Sequence, residues 1–402
     1  MVEEQRFSQH KQMDFEIQAL LGSCYYGGAD CGEILSTIDR IEAGDFEQWF
    51  LQWCSLAERI ERIAHQCAGA GHSVSARQAF LRAANYFSIA NLFIDGSRDP
   101  SRGAATWQRH YDCWGRFCAR LVPAAEKVAI PYKSTAMPGY LFRPPSGVGP
   151  HASIIFNNGS DGSNSGMWHF GVAAALERGY AALVFDGPGQ NAMLWQQGIP
   201  FRHDWERVIT PVVDFLLGRG DVDPERIVIS GLSQGGYWVL RALAFEQRIA
   251  AGIADPGVMD VSSSFFCHLP AEMTALLDNG DEQEFNRAME AGLREAGREA
   301  EQNLKWRMKP YGVNSYYQLY RLVRQYKVGD LLQKIRCPMF IADPEGEQFW
   351  PGQAARVAKT LKCQKTLAPF TAREGAAWHC EPKARSLYDQ RMFDWLAGVV
   401  PA

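Results

Sequence analysis

Gly231-Leu232-Ser233-Gln234-Gly235 presents a nucleophilic residue type in a setting that would expose it. Arg226-Ile227-Val228-Ile229-Ser230 before it is a β-branched run of buried-strand type, and Gly236 to Ala244 after it reads as helix. Glycines two before and two after a serine, between a strand and a helix, have the pattern of a nucleophile elbow. The turn is so tight that side chains at 231 and 235 would collide with neighbouring backbone, so only small residues fit. Its strain would hold the Ser233 hydroxyl at the C-terminal edge of a sheet. A turn whose serine merely caps the helix has the same local pattern, so the assignment depends on partners.

A serine hydroxyl is a poor nucleophile near neutral pH and needs an adjacent base, itself oriented by an acid. On such an elbow the chain order is serine, acid, histidine. Of nine histidines only His379 lies beyond the last expected strand, in the loop Phe370-Thr-Ala-Arg-Glu-Gly-Ala-Ala-Trp-His379 before the final helix. His268 also follows Ser233 but comes too early. The acid has two main candidates. Asp343 stands at the end of the strand Pro338–Ala342, and Glu347 lies in the following loop, four residues before Pro351. That spacing before a helix-opening proline favours Glu347 over Asp343, with Asp255, at the end of the preceding strand, as a third option.

The charge that develops on an attacked carbonyl needs two backbone N–H donors. Gln234, first in the helix after the elbow, should supply one, since its amide has no intrahelical acceptor. The other should come from Asn157-Asn158-Gly159-Ser160-Asp161-Gly162, where Gly159 permits close approach and Ser160 or Asp161 is the donor. Asp186-Gly-Pro-Gly-Gln190 reads as a structural turn rather than a phosphate cradle, because no lysine and no GxGxxG accompany it.

The elements that must position these groups fall into two regimes. Residues 1–125 are helical in pattern: Leu56, Ile60, Ile63 and Cys67 mark one helix face, and a second helix runs from Ala76 to Phe93. A third carries Trp107, Tyr111, Trp114 and Phe117, read chiefly as interhelical packing. Residues 126–402 alternate strand and helix. Val128–Tyr132 and Gly139–Arg143 form an expected antiparallel pair turning at Ser134–Met137, and further strands are expected near 153, 181, 227, 252, 339 and 365. Such alternation predicts an α/β fold with a doubly wound, mostly parallel sheet, whose strand ends gather the catalytic groups. Residues 262–335 interrupt it with charged helical sequence and the tyrosines 311, 316, 317 and 320, the pattern of a lid insertion.

With 402 residues, 47% hydrophobic, the chain has material for a large core. A net charge of −4 without a basic cluster argues against nucleic acid or an anionic membrane as partner. No apolar run is long enough to span a bilayer, and Met-Val-Glu-Glu-Gln does not open like a signal peptide. Ten scattered cysteines, with Cys54 and Cys67 at expected core positions, read as reduced thiols of a cytoplasmic protein, without metal or cofactor.

Several stretches together resemble one group of α/β-hydrolases: Gly28-Ala-Asp-Cys31, the 70–92 region with Gly-His-Ser-Val-Ser-Ala-Arg, Phe185-Asp-Gly-Pro-Gly-Gln190, the elbow, Glu345-Gly-Glu-Gln-Phe-Trp-Pro-Gly-Gln353 and Glu374-Gly-Ala-Ala-Trp-His-Cys-Glu381. That group includes 2,6-dihydropseudooxynicotine hydrolase and the fungal hydrolases that shorten polyketide pigments. The resemblance implies an α/β-hydrolase core, a helical cap drawn partly from the N-terminal region, and a homodimer. It also implies carbon–carbon cleavage beside a ketone, assisted in the nicotine-pathway enzyme by a glutamate whose matching position here is Asp161. The paired glutamates that follow in some relatives are replaced by Ser163-Asn-Ser-Gly-Met-Trp168.

The expected activity is therefore a serine hydrolase acting on a small carbonyl substrate, with C–C hydrolysis of a β-diketone or polyketide-like compound preferred. An esterase, lactonase, amidase or acyltransferase would use the same residues. A catalytically silent ligand-binding protein would keep the fold but leave Ser233 unactivated.

Overall fold

In the computed structural model, which describes residues 6–145 and 149–402, the β-branched runs line up as one eight-stranded sheet in the order β1-β2-β4-β3-β5-β6-β7-β8. The strands are β1 (Glu126–Tyr132), β2 (Thr135–Phe142), β3 (His151–Asn157), β4 (Ala181–Phe185), β5 (Val222–Leu232), β6 (Ala251–Asp255), β7 (Met339–Pro344) and β8 (Lys365–Phe370). β1 and β2, and β2 and β4, pair antiparallel, while the rest of the sheet is parallel. The β1–β2 turn is tighter than its sequence signalled. Tyr132 faces Thr135, so Lys133 and Ser134 make a two-residue loop, with Lys133 at φ 50°. A positive φ at that position matches the right-handed twist of the flanking strands.

Alternation along each strand divides the core between the two faces. Ile154, Phe156, Ala182, Val184 and Val228 join one hydrophobic cluster, which includes the N-terminal helices. Ile155, Leu183, Phe185, Ile227 and Ile229 join the other, with helices Glu206–Leu217 and Gln234–Leu243 and the tyrosines 311, 316, 317 and 320. The strands between are buried on both sides, as a parallel sheet requires.

The N-terminal region consists of helices Lys11–Gly22, Cys31–Ile38, Phe46–Gly69, Ser73–Asn91 and Arg102–Cys118. In Phe46–Gly69 the buried stripe is Trp49, Phe50, Trp53, Leu56, Ala57, Ile60 and Ala64. Ile63 lies at its edge and is exposed, and Cys54 and Cys67 are only half-buried, so the expected core face is rotated. The tryptophans at 49 and 53 define the stripe instead, and the Trp49 indole N–H donates to the Ile89 carbonyl at 2.8 Å. Trp114 stacks on Phe117 within this core, whereas Trp107 stacks on Tyr111 and faces a cavity.

Between β6 and β7 the chain forms helices Ser263–Phe266, Ala271–Asn279, Glu282–Ala296, Arg298–Met308 and Tyr316–Val323. Phe285 meets Tyr317 and Tyr320 edge-on, giving this segment its own aromatic centre.

Candidate active site

β3 is flanked by β4 on one side and β5 on the other, so the chain changes winding direction there, and loops beyond the strand ends open a crevice. Asn157 pairs with Gly231 in register, which sets the loop after β3 directly beside the elbow. Ser233 takes φ 58°, ψ −126°, a strained conformation for a residue with a side chain. The glycines around it are sterically required. A Cβ at 231 would stand 2.2 Å from the Gly235 carbonyl oxygen, one at 235 would stand 2.7 Å from that of Asn157, and one at 236 would stand 2.0 Å from that of Pro256. The Ser233 N–H is tied at 2.6 Å to the Asp255 carbonyl of β6, which braces the turn from the other side.

Ser233, His379 and Glu347, far apart in sequence, form one hydrogen-bonded chain. His379 Nε2 lies 2.8 Å from Ser233 Oγ, and His379 Nδ1 lies 2.7 Å from Glu347 Oε2. The other carboxylate oxygen, Oε1, accepts the N–H groups of Phe349 and Trp350 at 2.8 and 3.1 Å, so the carboxylate is held at both ends. With Glu347 ionised, Nδ1 carries the imidazole proton, and Nε2 is free to accept from the serine. Phe349 meets the imidazole edge-on at 4.8 Å and Trp350 at 5.6 Å. The histidine loop is strained as well: Trp378, Cys380 and Glu381 have φ of 79°, 59° and 42°. Asp343, half-buried near the end of β7, makes no hydrogen bond to the imidazole.

Burial is the largest influence on His379 and by itself would push its pKa down. The charge and hydrogen bond of Glu347, with Asp255 and Asp161 behind, outweigh it, and the net shift is upward. Burial likewise works to raise Glu347, but the imidazole and the two backbone donors win and leave its carboxyl below the ordinary value. Each member of the pair therefore favours the charged form of the other.

Asp255 makes no hydrogen bond to the histidine and belongs to a buried cluster. Arg385 Nη1 donates to Asp255 Oδ2 at 3.2 Å and to the Cys380 carbonyl at 2.9 Å, with Glu381 at 3.6 Å and Asp389 at 4.0 Å from the guanidinium. Burial drives Glu381 well above the usual carboxylate range, and the charge of Asp255 adds to it. This cluster clamps the histidine loop to the strand behind the serine.

On the opposite wall, the amides of Gln234 and Ser160 find no protein acceptor among the described residues. The 157–162 loop is held from below, where Gln190 Nε2 donates to the carbonyls of Asn158 and Gly159 at 2.9 and 2.8 Å. Asp186 receives Asn164, Asn191 and the Ala192 N–H, so the Asp186–Gln190 turn is the loop's foundation. Gly159 lies against the serine, and a Cβ there would come within 2.9 Å of Ser233 Cβ.

A cavity of about 400 Å³ opens above Ser233 and His379, within the range of small-molecule sites. Its walls include Phe15 and Glu16 of the N-terminal helix, Asp161, and Trp306 and Arg307 of the inserted segment. Asp161, Trp306 and Arg307 also border a second lobe of about 140 Å³ that reaches Trp107, Phe265 and Tyr311. Asp161 is exposed where it borders the two cavities, and desolvation by the surrounding protein raises its carboxyl despite the nearby Arg307 and His379. Arg307 lies 5.7 Å from the ring centres of both Phe265 and Phe349 and pairs with no carboxylate among the described residues. Phe15, Glu16 and Arg307 were missed from sequence. The only signal for the first two was the helical spacing of Gln12, Phe15, Glu16 and Ala19, which does not say what the face meets. Among the described residues no group of three His, Cys, Asp or Glu side chains is placed to hold a metal ion.

The model of the alpha/beta hydrolase family matches residues 154–398. The chain belongs to this family. The 20-hydroxy-prefusarin hydrolase FUS2 of Gibberella moniliformis is 31% identical over 95% of both chains, and the hydrolase acrC of Aspergillus aculeatus is 29% identical over 95% of both. Among solved structures, that of 2,6-dihydroxy-pseudo-oxynicotine hydrolase superposes with a TM-score of 0.74 over 94% of this chain and 95% of its own. At 22% identity that likeness is one of fold, and it extends through the N-terminal helices. The chain is thus a hydrolase of the α/β family with that fold over nearly its full length.

Proposed function

We propose that this hydrolase cleaves a small carbonyl compound through an acyl-enzyme on Ser233, and that the bond broken is a carbon–carbon bond beside a ketone, as in a β-diketone or polyketide-like chain. The observation that carries the reading is the pair of hydrogen bonds linking Ser233 Oγ, the His379 ring and Glu347, with the serine and the imidazole lining one cavity. His379 takes the serine proton as Oγ attacks the carbonyl carbon, and Glu347 stabilises the imidazolium that forms. The Gln234 N–H and the amides of the Ser160–Asp161 stretch stabilise the tetrahedral oxyanion, with Gly159 allowing the approach. Asp343 and Asp255 have no part in this relay. Collapse of the tetrahedral adduct expels an enolate, and water then releases the acid from Ser233.

Two carboxyls in the same cavity, Asp161 and Glu16, favour C–C cleavage over simple ester hydrolysis, since a carbon leaving group must be protonated and an alkoxide leaving group is served by the imidazolium. The test assays 1-phenyl-1,3-butanedione and p-nitrophenyl butyrate with wild type and Ser233→Ala. Wild type should convert the diketone to an acid and a methyl ketone, and the folded variant should lose both activities. Turnover of the ester alone would refute the carbon–carbon part. Undiminished turnover by Ser233→Ala would refute the nucleophile.

A further inference from the structure

We infer that Glu16, on the N-terminal helix, is the acid that protonates the carbon released when the substrate's C–C bond breaks, an inference that rests on the function proposed above. The helix Lys11–Gly22 turns Gln12, Phe15, Glu16 and Ala19 toward the cavity that holds Ser233 and His379, while Met13, Asp14, Ile17 and Gln18 are buried on its other side. The Phe15 ring lies 6.4 Å from that of His379, so this face stands directly over the reacting groups.

The two carboxylates of this helix differ in how they are held. Asp14 accepts the N–H groups of Phe7 and Ser8 at 2.6 and 3.1 Å and the Gln18 amide at 2.6 Å, which makes it a structural clasp. Glu16 accepts no hydrogen bond and pairs with no cation among the described residues. A carboxyl left without partners in a largely apolar cavity is costly when ionised, and the protonated form avoids that cost. The charged and titratable groups that share its cavity are Lys11 on its own helix, Asp161 after β3, His169, Arg307 of the inserted segment, His379 and Cys380, whose thiol burial holds well above its ordinary value. Burial holds His169 down at about 3, so it is neutral. Burial first, then the charge of Asp161, push the Glu16 carboxyl up to about 8. At neutral pH Glu16 therefore carries a donor O–H into the cavity.

The step balances as follows. Ser233 Oγ bonds to the carbonyl carbon and its proton passes to His379. The C–C bond breaks, its electron pair moves to the departing α-carbon as an enolate, and the Glu16 proton is delivered there. The imidazolium proton then passes through water to the Glu16 carboxylate, which leaves His379 neutral to activate the water that attacks the acyl-enzyme. One water is consumed, and the products are a carboxylic acid and a ketone.

The experiment compares wild type with Glu16→Gln and Glu16→Asp on the same diketone and ester between pH 6 and 9.5, with fluorophosphonate labelling of Ser233 as a third readout. Glu16→Gln should lose about 100-fold or more in kcat on the diketone, the usual reach of acid catalysis, with ester turnover and labelling rate falling far less. The wild-type diketone profile should fall above about pH 8, since the acid must be protonated. That limb should be absent from the ester profile and retained by Glu16→Asp. A diketone kcat within threefold of wild type, limb included, would overturn the inference and leave the proton to His379 or Asp161. Parallel loss of diketone, ester and labelling would also overturn it, assigning Glu16 to the cavity wall. Wild type that labels and cleaves the ester but not the diketone would instead overturn the carbon–carbon reading, and the inference with it.

Discussion

Glu347→Gln preserves volume and shape and removes one charge, so its effect follows from the two ends of this carboxylate. Oε1 accepts two N–H groups, from Phe349 and Trp350, and Oε2 accepts His379 Nδ1–H. A glutamine that keeps its oxygen on the two amides turns its NH2 toward Nδ1. The imidazole must then protonate Nε2, which can no longer accept from Ser233. A glutamine turned the other way sets its NH2 against two backbone donors and leaves both without an acceptor. Neither orientation works. The equivalent change in a serine triad costs about 10⁴ in kcat, or roughly 5 kcal/mol of transition-state stabilisation. Loss of the charge also removes the main upward influence on His379. With the neutral imidazole as base, as proposed, activity should rise with pH through its pKa, and in the variant the midpoint of that residual limb should move down. The assay is kcat against pH for both variants, with circular dichroism as the check on folding. Asp343→Asn should stay close to wild type, because Asp343 makes no bond to the histidine. A folded Glu347→Gln with near-normal kcat, or a folded but dead Asp343→Asn, would refute the reasoning.

Gly159→Ala should lower kcat by about 10- to 100-fold with little change in KM, because a Cβ within 2.9 Å of Ser233 Cβ and 3.1 Å of the Leu232 carbonyl must shift the serine or the 157–162 loop proposed to hold the oxyanion; steady-state kinetics on the ester checks it. Gln190→Ala should lower the denaturation midpoint and kcat together, since two buried carbonyls lose their donor at about 1–3 kcal/mol each. Arg385→Ala leaves Asp255 and Asp389 without their buried cation and should cost about 3–5 kcal/mol in a urea titration.

The parts of the site that were legible in sequence are those whose requirement is local. The elbow needs small residues at fixed offsets from Ser233, the 157–162 loop needs glycine where it meets that serine, and the spacing of Glu347 from Pro351 is a property of one loop. Strand and helix alternation located the sheet for the same reason. What could not be read arises from packing between distant segments. Nothing near Glu16 indicates that its helix lies over His379, and Arg307 sits in charged helical sequence typical of a solvated face. Gln190 looked like part of a structural turn, and it is, but the loop it supports is about thirty residues earlier in the chain. The β1–β2 turn was misplaced because Lys133 adopts a conformation that glycine or asparagine would normally announce.

The central claim is that Ser233 is an activated nucleophile, and a fluorophosphonate probe tests it most directly. Peptide mass spectrometry after labelling should find one adduct per chain, on Ser233. Labelling should be lost in Ser233→Ala and slowed by orders of magnitude in His379→Ala, since the members of such a relay act as a unit. An unlabelled wild type, or an adduct that persists at another residue in Ser233→Ala, would contradict the account.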